Sequence, residues 1–271
     1  MCRWLAYTGA PILMSDLIIK PKDNLIHQSL HAKSPRTPTN GDGFGVGWYD
    51  KQPLPGLFRT IRPAWNDMNL QDITSHIESP LFMAHVRATS LATIQETNCH
   101  PFRYQQWLFV HNGQIAQFGI LKQELLGKIA PRYFENILGS TDSEIMFHLA
   151  LTFGLEKDVP KAIAEMVRVV EATAKSHGID AAIWMTLGIS DGESLWGFRY
   201  GSDGRGPTLY SSPHISELKK LNPEISEKVG DFAECLVSEP IGEFQDKWRE
   251  IPVNTMIHIH HKRVEESSFL L

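Results

Sequence analysis

The chain has 271 residues, of which 42% are hydrophobic, 21% charged and 10% aromatic, with a formal charge of −5 and a pI near 6.2. This composition is that of a folded protein with a substantial buried core, and it argues against disorder. The mildly acidic balance and scattered Lys and Arg argue against nucleic acid or a membrane surface as partner.

From the N-terminus, strands are predicted at residues 2–8, 44–49, 57–61, 81–86 and 107–111, and later at 181–189, 194–200, 233–238 and 255–260. Several are short continuous apolar runs bounded by turn residues, such as Leu81-Phe82-Met83-Ala84 and Trp107-Leu108-Phe109-Val110. Such runs suit strands covered on both faces. An irregular helix is expected after Gly113. Thr141-Asp142-Ser143-Glu144 reads as a capping box, with Thr141 capping and Glu144 reaching back. Ile145, Met146, Leu149, Ala150 and Phe153 form the stripe behind it, and Gly154 stops the helix. A second helix starts near Asp158 with Pro160 in its first turn and closes at Gly178. Residues 202–223 read as a long surface connection.

The order is strands, central helices, then strands. Without βαβα alternation a doubly wound sheet is disfavoured, and a layered α+β sandwich in one domain, residues 1–271, is expected. The three cysteines, Cys2, Cys99 and Cys235, are odd in number and widely spaced, which points to a reducing compartment without a disulfide framework. No apolar run approaches the roughly 20 residues of a membrane helix, and the N-terminus lacks a secretory pattern. A cytoplasmic protein is expected.

Three motifs look chemical but have plainer readings. Asn40 to Asp50, NGDGFGVGWYD, carries glycine at 41, 43, 45 and 47 yet matches no phosphate-binding pattern. A strand face without side chains predicts close packing against another layer. Gly188-Ile189-Ser190-Asp191-Gly192 fits G-x-S-x-G, but a strand follows where the nucleophile elbow needs a helix, so a hairpin turn is expected. His258, His260 and His261 lack a third ligand by spacing, and Ile257 and Ile259 are expected to point inward instead. Cys235 reads as a buried strand cysteine, and Cys99 has no assigned role.

Four further pieces bear on chemistry, each with an ordinary structural alternative. Cys2 is either a buried strand residue or, once Met1 is removed, a nucleophile beside its own α-amine. That amine, with a pKa of about 7.7–8.0, can accept the proton of a thiol near about 8.5. Arg87, just past an apolar strand, suits bidentate binding of a carboxylate or a plain salt bridge. Asn112-Gly113 can point an amide and a backbone N–H at an oxyanion, or form a common turn. Asp142 sits where a helix dipole favours an acid, or where a substrate ammonium could bind.

Together, Met1-Cys2, His85-x-Arg87-x-x-Ser90, His111-Asn112-Gly113 and Thr141-Asp142-Ser143-Glu144 resemble the class II glutamine amidotransferases of the N-terminal-nucleophile hydrolase superfamily. Asn40-Gly41-Asp42-Gly43 and Ser238-Glu239-Pro240 are similar to the single-domain members. The resemblance implies a four-layer αββα sandwich. It implies Cys2 as nucleophile with its α-amine as base, Asn112 and Gly113 at the oxyanion, Arg87 on the substrate carboxylate and Asp142 on its ammonium. Ser90 is implied to line the pocket. The activity implied is amide hydrolysis of L-glutamine through a Cys2 thioester, releasing ammonia, with no metal or organic cofactor. The chain leaves no residues for an ammonia-consuming domain, so a separate synthase subunit is one expectation. Hydrolysis of another γ-glutamyl compound, glutathione-like, is a second, and a catalytically silent binding subunit a third.

Overall fold

The computed structural model describes residues 2–30, 39–88, 93–214, 216–217 and 230–269. Its strands in chain order are β1 (Arg3–Leu13), β2 (Phe44–Tyr49), β3 (Gly56–Thr60), β4 (Glu78–Val86), β5 (Phe102–Tyr104), β6 (Trp107–Ile115) and β7 (Ile183–Ser190). They continue with β8 (Leu195–Gly201), β9 (Tyr210–Ser211), β10 (Ala233–Val237), β11 (Arg249–Glu250), β12 (Thr255–His260) and β13 (Arg263–Ser268). One antiparallel sheet has the order β11-β9-β10-β1-β4-β2-β3, and the other the order β13-β12-β8-β7-β6-β5. The helices are α1 (Ser15–Ile18), α2 (Leu25–Leu30), α3 (Met68–His76), α4 (Phe118–Leu126), α5 (Pro131–Phe134), α6 (Asp142–Thr152) and α7 (Val159–Ser176).

Side-chain alternation along the strands builds four layers. In β1, Trp4 and Ala6 point between the sheets, where they meet Met83, Leu108, Val110 and Leu236. Leu5 and Tyr7 point the other way, joining Val46, Phe82 and Ala84 under Met14, Ile18 and Leu70 from the first three helices and their flanks. On the far side, Phe109, Met185, Leu187 and Phe198 pack against Leu121, Phe147, Met166 and Val170 of the central helices. The result is the αββα sandwich, with the central strands of each sheet buried on both faces, which explains their continuous apolar runs.

The glycine-rich strand shows why its inner face is bare. Phe44 and Val46 face the outer helices. A Cβ on Gly47 would lie 2.9 Å from Leu108 Cδ1, and one on Gly45 would run into the His100 carbonyl. The stretch is a close-packing surface, as its spacing predicts. Gly45→Val is expected to lower stability by about 1–3 kcal/mol, because a backbone carbonyl cannot move aside as a side chain can. A urea midpoint equal to that of the wild type would contradict this.

The two central helices start and stop as predicted. Thr141 Oγ1 accepts from Glu144 N (3.2 Å) and Asp158 Oδ1 from Lys161 N (3.0 Å). Gly154 and Gly178 follow the helix ends at φ +94° and +73°. One detail differs: Glu144 does not close a box on Thr141 but accepts from Leu138 N (2.9 Å) and Gly139 N (2.7 Å), pinning the preceding loop. Residues 202–223 are also not all connection, since Tyr210–Ser211 pairs with β10 and β11. The part at 215 and 218–223 lies outside the described residues. The G-x-S-x-G stretch is a hairpin, with Ser190 opposite Leu195, Gly192 at φ +100° and Asp191 Oδ1 accepting from Ser194 N (2.8 Å). This rules out a nucleophile elbow at Ser190.

Candidate active site

Neighbouring β1 and β4 run antiparallel in register, Arg3 opposite Val86, so Cys2 enters its strand beside Arg87 and Ala88. The Cys2 thiol lies 3.4 Å from both the N–H and the carbonyl of Ala88. Its own carbonyl accepts from Arg3 Nη1 (2.9 Å), and the Arg3 guanidinium is ion-paired with Glu239. Trp4 is bracketed by Ser238, its N–H donating to Ser238 Oγ (3.1 Å) and its carbonyl accepting from Ser238 N (3.0 Å). Ser238-Glu239-Pro240, more than 230 residues on in sequence, therefore clamps the strand that carries Cys2. Burial pushes the thiol above its ordinary range, opposed by the Ala88 N–H and by Arg87 and reinforced by Asp142. A thiol so placed needs a base to become a nucleophile.

Arg87 is 3% exposed. Its fork is oriented by two backbone carbonyls, Asp42 O to Nη1 (3.4 Å) and Thr93 O to Nη2 (3.2 Å). The Asn40-Gly41-Asp42-Gly43 stretch runs alongside, with Arg87 N donating to Gly43 O (2.8 Å) and Asp42 N to Arg87 O (3.1 Å). A guanidinium has five donors, so this leaves it able to bind a carboxylate in a bidentate way.

Asn112-Gly113 is not a turn. The strand continues to Ile115, with Asn112 opposite Thr186 and Gly113 opposite Met185. Gly113 adopts φ +147°, and a Cβ there would strike the Trp184 carbonyl, so only glycine fits. A hydrogen-bond relay crosses the sheets at this level: Trp4 Nε1 donates to Thr186 Oγ1 (3.0 Å), and that hydroxyl to Asn112 O (3.5 Å). The relay ties the strand of Cys2 to the strand of Asn112.

Asp142 opens α6. Its Oδ2 accepts from Ile115 N (2.8 Å), and its Oδ1 from Ser143 N (2.8 Å) and Ser143 Oγ (3.3 Å). Ser143 Oγ shares a 2.7 Å hydrogen bond with His111 Nδ1. The carboxylate is thus fixed two residues past Gly113, where it can receive a cation. His85, His100 and His111 are buried nearby, with His85 stacked on His100 at 4.2 Å and its Nε2 3.2 Å from His111 O. Burial pushes His85 down to about 3 and lowers the other two. The three rings stay neutral at pH 7, so Arg87 supplies the positive charge beside the thiol.

Ser90 lies outside the described residues. Cys99, buried with its thiol raised to about 11 by desolvation, donates to Thr60 O (3.4 Å) and is a packing residue. Cys235 is buried in β10. Ile257 and Ile259 point inward at 0% and 2% exposure, leaving His258 and His260 on the other face. Among the described residues no group of three His, Cys, Asp or Glu side chains could hold a metal, and no helix is long and apolar enough to cross a membrane. Sequence reasoning missed the contacts made by Arg3, Ser143 and His111. Their only local signal is polarity at positions that otherwise read as core or loop.

The sequence profile of the class II glutamine amidotransferases matches residues 18–218. A probable glutamine amidotransferase of Saccharomyces cerevisiae is 43% identical over 160 residues, which cover 56% of this chain and 45% of that protein. A gamma-glutamyl-hercynylcysteine sulfoxide hydrolase of Mycolicibacterium smegmatis is 32% identical over 126 residues, 45% of this chain and 54% of that one. The chain spans about half the length of these relatives. A solved glutamine aminotransferase class-II domain protein from Silicibacter pomeroyi aligns over the whole of both chains at 31% identity and a TM-score of 0.75. A glutamine phosphoribosylpyrophosphate amidotransferase from B. subtilis, 15% identical, matches all of this chain and 50% of its own at a TM-score of 0.65, a likeness of fold alone.

Proposed function

The chain belongs to the class II glutamine amidotransferases, and we propose that it hydrolyses the γ-carboxamide of L-glutamine through a thioester on Cys2, releasing ammonia. The observation that carries this reading is the convergence of three groups: the Cys2 thiol on the Ala88 N–H, the buried Arg87 guanidinium one residue before, and the Asp142 carboxylate held by Ile115 N. A cation and an anion flanking a thiol suit an α-amino acid whose side chain is the reacting group.

In the proposed reaction, removal of Met1 leaves Cys2 with a free α-amine. The amine takes the proton of a thiol that burial keeps protonated, and the sulfur attacks the amide carbon. The S–C bond forms as the carbonyl becomes an oxyanion, held by the Asn112 side-chain amide and the Gly113 N–H. The amine returns its proton to the nitrogen as the C–N bond breaks and ammonia leaves. Water, activated by the same amine, then cleaves the thioester to glutamate and restores the thiol. Ser90 lines the pocket in this reading. Where glutamine is the substrate, the ammonia passes to a synthase carried by a separate subunit. The three widely spaced cysteines, all free, favour a reducing compartment such as the cytoplasm.

The second reading keeps every step and changes the leaving group to the amine of a larger γ-glutamyl compound. The hydrolase named among the relatives favours it. The test is an intact mass before and after incubation with a diazo-ketone analogue of glutamine, followed by turnover assays on glutamine and γ-glutamyl amides. Loss of Met1, one adduct on Cys2 and ammonia release are expected. A chain that keeps Met1, or takes no adduct and turns over no γ-glutamyl compound, would overturn both readings and leave a silent binding subunit.

A further inference from the structure

Resting on the reading of the site given above, we propose that Asn98 is a positioning residue. Its carboxamide sets the distance between the carboxylate-binding and ammonium-binding ends of the pocket, and with it the selectivity for substrates that carry both groups.

Asn98 is 0% exposed and its side chain is used on both sides. Nδ2 donates to Thr93 O (2.8 Å) and to Ser140 Oγ (3.2 Å), while Oδ1 accepts from Ser140 N (2.8 Å). Thr93 O is the same carbonyl that orients Arg87 through Nη2 at 3.2 Å. Ser140 immediately precedes Thr141, the cap of α6, and Asp142 follows. One amide therefore joins the loop that holds the guanidinium to the loop that launches the carboxylate, two segments 42 residues apart in sequence. Among the described residues, the hydrogen bonds between these two loops run through this side chain.

The contact is rigid from the other direction as well. Glu144, itself buried, holds Leu138 N and Gly139 N at 2.9 and 2.7 Å. A Cβ on Gly139 would press into Asn98 Oδ1 and lie 2.8 Å from Glu144 Oε2, so the loop must meet the amide directly. A buried carboxamide with its donors and acceptor satisfied has one orientation, since turning it would set donor against donor. The spacing of Arg87 and Asp142 is thereby fixed before substrate arrives, which matters because a misplacement of about 1 Å at a positioning group costs roughly 100-fold.

Two readouts separate this role from a general loss of structure. The first is the split between KM and kcat for the turned-over amide. The second is the inhibition constant of L-glutamate, which carries both head groups, against those of glutarate and 4-aminobutanoate, which carry one each. KM and the inhibition constants, unlike kcat, do not depend on the fraction of enzyme that is active. In Asn98→Ala, KM is expected to rise about tenfold or more with kcat changed less than about threefold, and the preference for L-glutamate to fall at least about fivefold. If Asn98→Ala does not fold, Asn98→Asp decides, because it keeps the shape and the bond from Ser140 N but cannot donate to Thr93 O. A preference for L-glutamate within twofold of the wild type in a folded variant overturns the assignment. Wild-type protein that turns over no γ-glutamyl amide removes the reading of the site and this inference with it, a result distinct from an unchanged ratio in an active enzyme.

Discussion

Cys2→Ala is expected to leave no turnover above background, a loss of at least about 10⁴-fold in kcat, because it removes the sulfur that forms the acyl bond. Cys99 is buried, bonded to Thr60 O and raised to about 11, so it cannot substitute. Cys235 lies in the first sheet beside Glu234, with its thiol also raised by burial. Cys2→Ser is expected to fall nearly as far, since an alcohol is a far weaker nucleophile next to an amine of pKa about 7.7–8.0. Stopped assays of ammonia or amine release on the processed protein check this, together with acid quenching to look for a thioester. Retained turnover in Cys2→Ala would remove the mechanism altogether. Folding should be unaffected, because the Arg3–Glu239 pair and the Ser238 bracket on Trp4 hold the strand without the thiol.

Asn112→Ala is expected to lower kcat by about 10²–10³-fold with KM nearly unchanged, the signature of a donor used in the transition state rather than in binding. The strand geometry should survive the change. Asn112 pairs with Thr186 through the backbone, and it is the backbone carbonyl that accepts from Thr186 Oγ1. The buried side-chain carbonyl of Asn112 takes no hydrogen bond among the described residues, so its removal orphans no partner there. A rise in KM at constant kcat would instead place this amide on the ground-state substrate, and the oxyanion would need another donor.

Much of this molecule was legible along the chain. Apolar content located β1, β2, β3, β4, β6, β7, β8, β10 and β12: the central strands, covered on both faces, carry continuous apolar runs, while β12 alternates Ile257 and Ile259 with His258 and His260. Capping chemistry located α6 and α7, since Thr141 and Asp158 satisfy amides a few residues away. Of the edge strands, β3 was predicted at residues 57–61, whereas β5, β11 and β13 escaped. Strand β13 is exposed along its whole length and reads as RVEESS, with no buried face to impose a pattern. The two-residue strands β9 and β11 exist through pairing alone.

At the site, Cys2, Arg87, Asn112, Gly113 and Asp142 could each be picked out, yet each also carried an ordinary structural explanation. What the sequence determined by itself is local: which residues must be buried, where helices begin, and which side chains have chemistry to offer. Only the tertiary structure decided that Asn112-Gly113 is strand rather than turn, since the register with β7 extends the pairing to Ile115. It alone decided that Glu144 pins residues 138 and 139, that Ser238 and Glu239 clamp the strand of Cys2, and that Asn98 links the Arg87 loop to the Asp142 loop. Apart from the Glu144 contacts, five and six residues apart, these are hydrogen bonds and ion pairs between segments tens to hundreds of residues apart. Their energy depends on distances of about 3 Å that exist only once the sheets have packed face to face, and no local pattern of residue types encodes them.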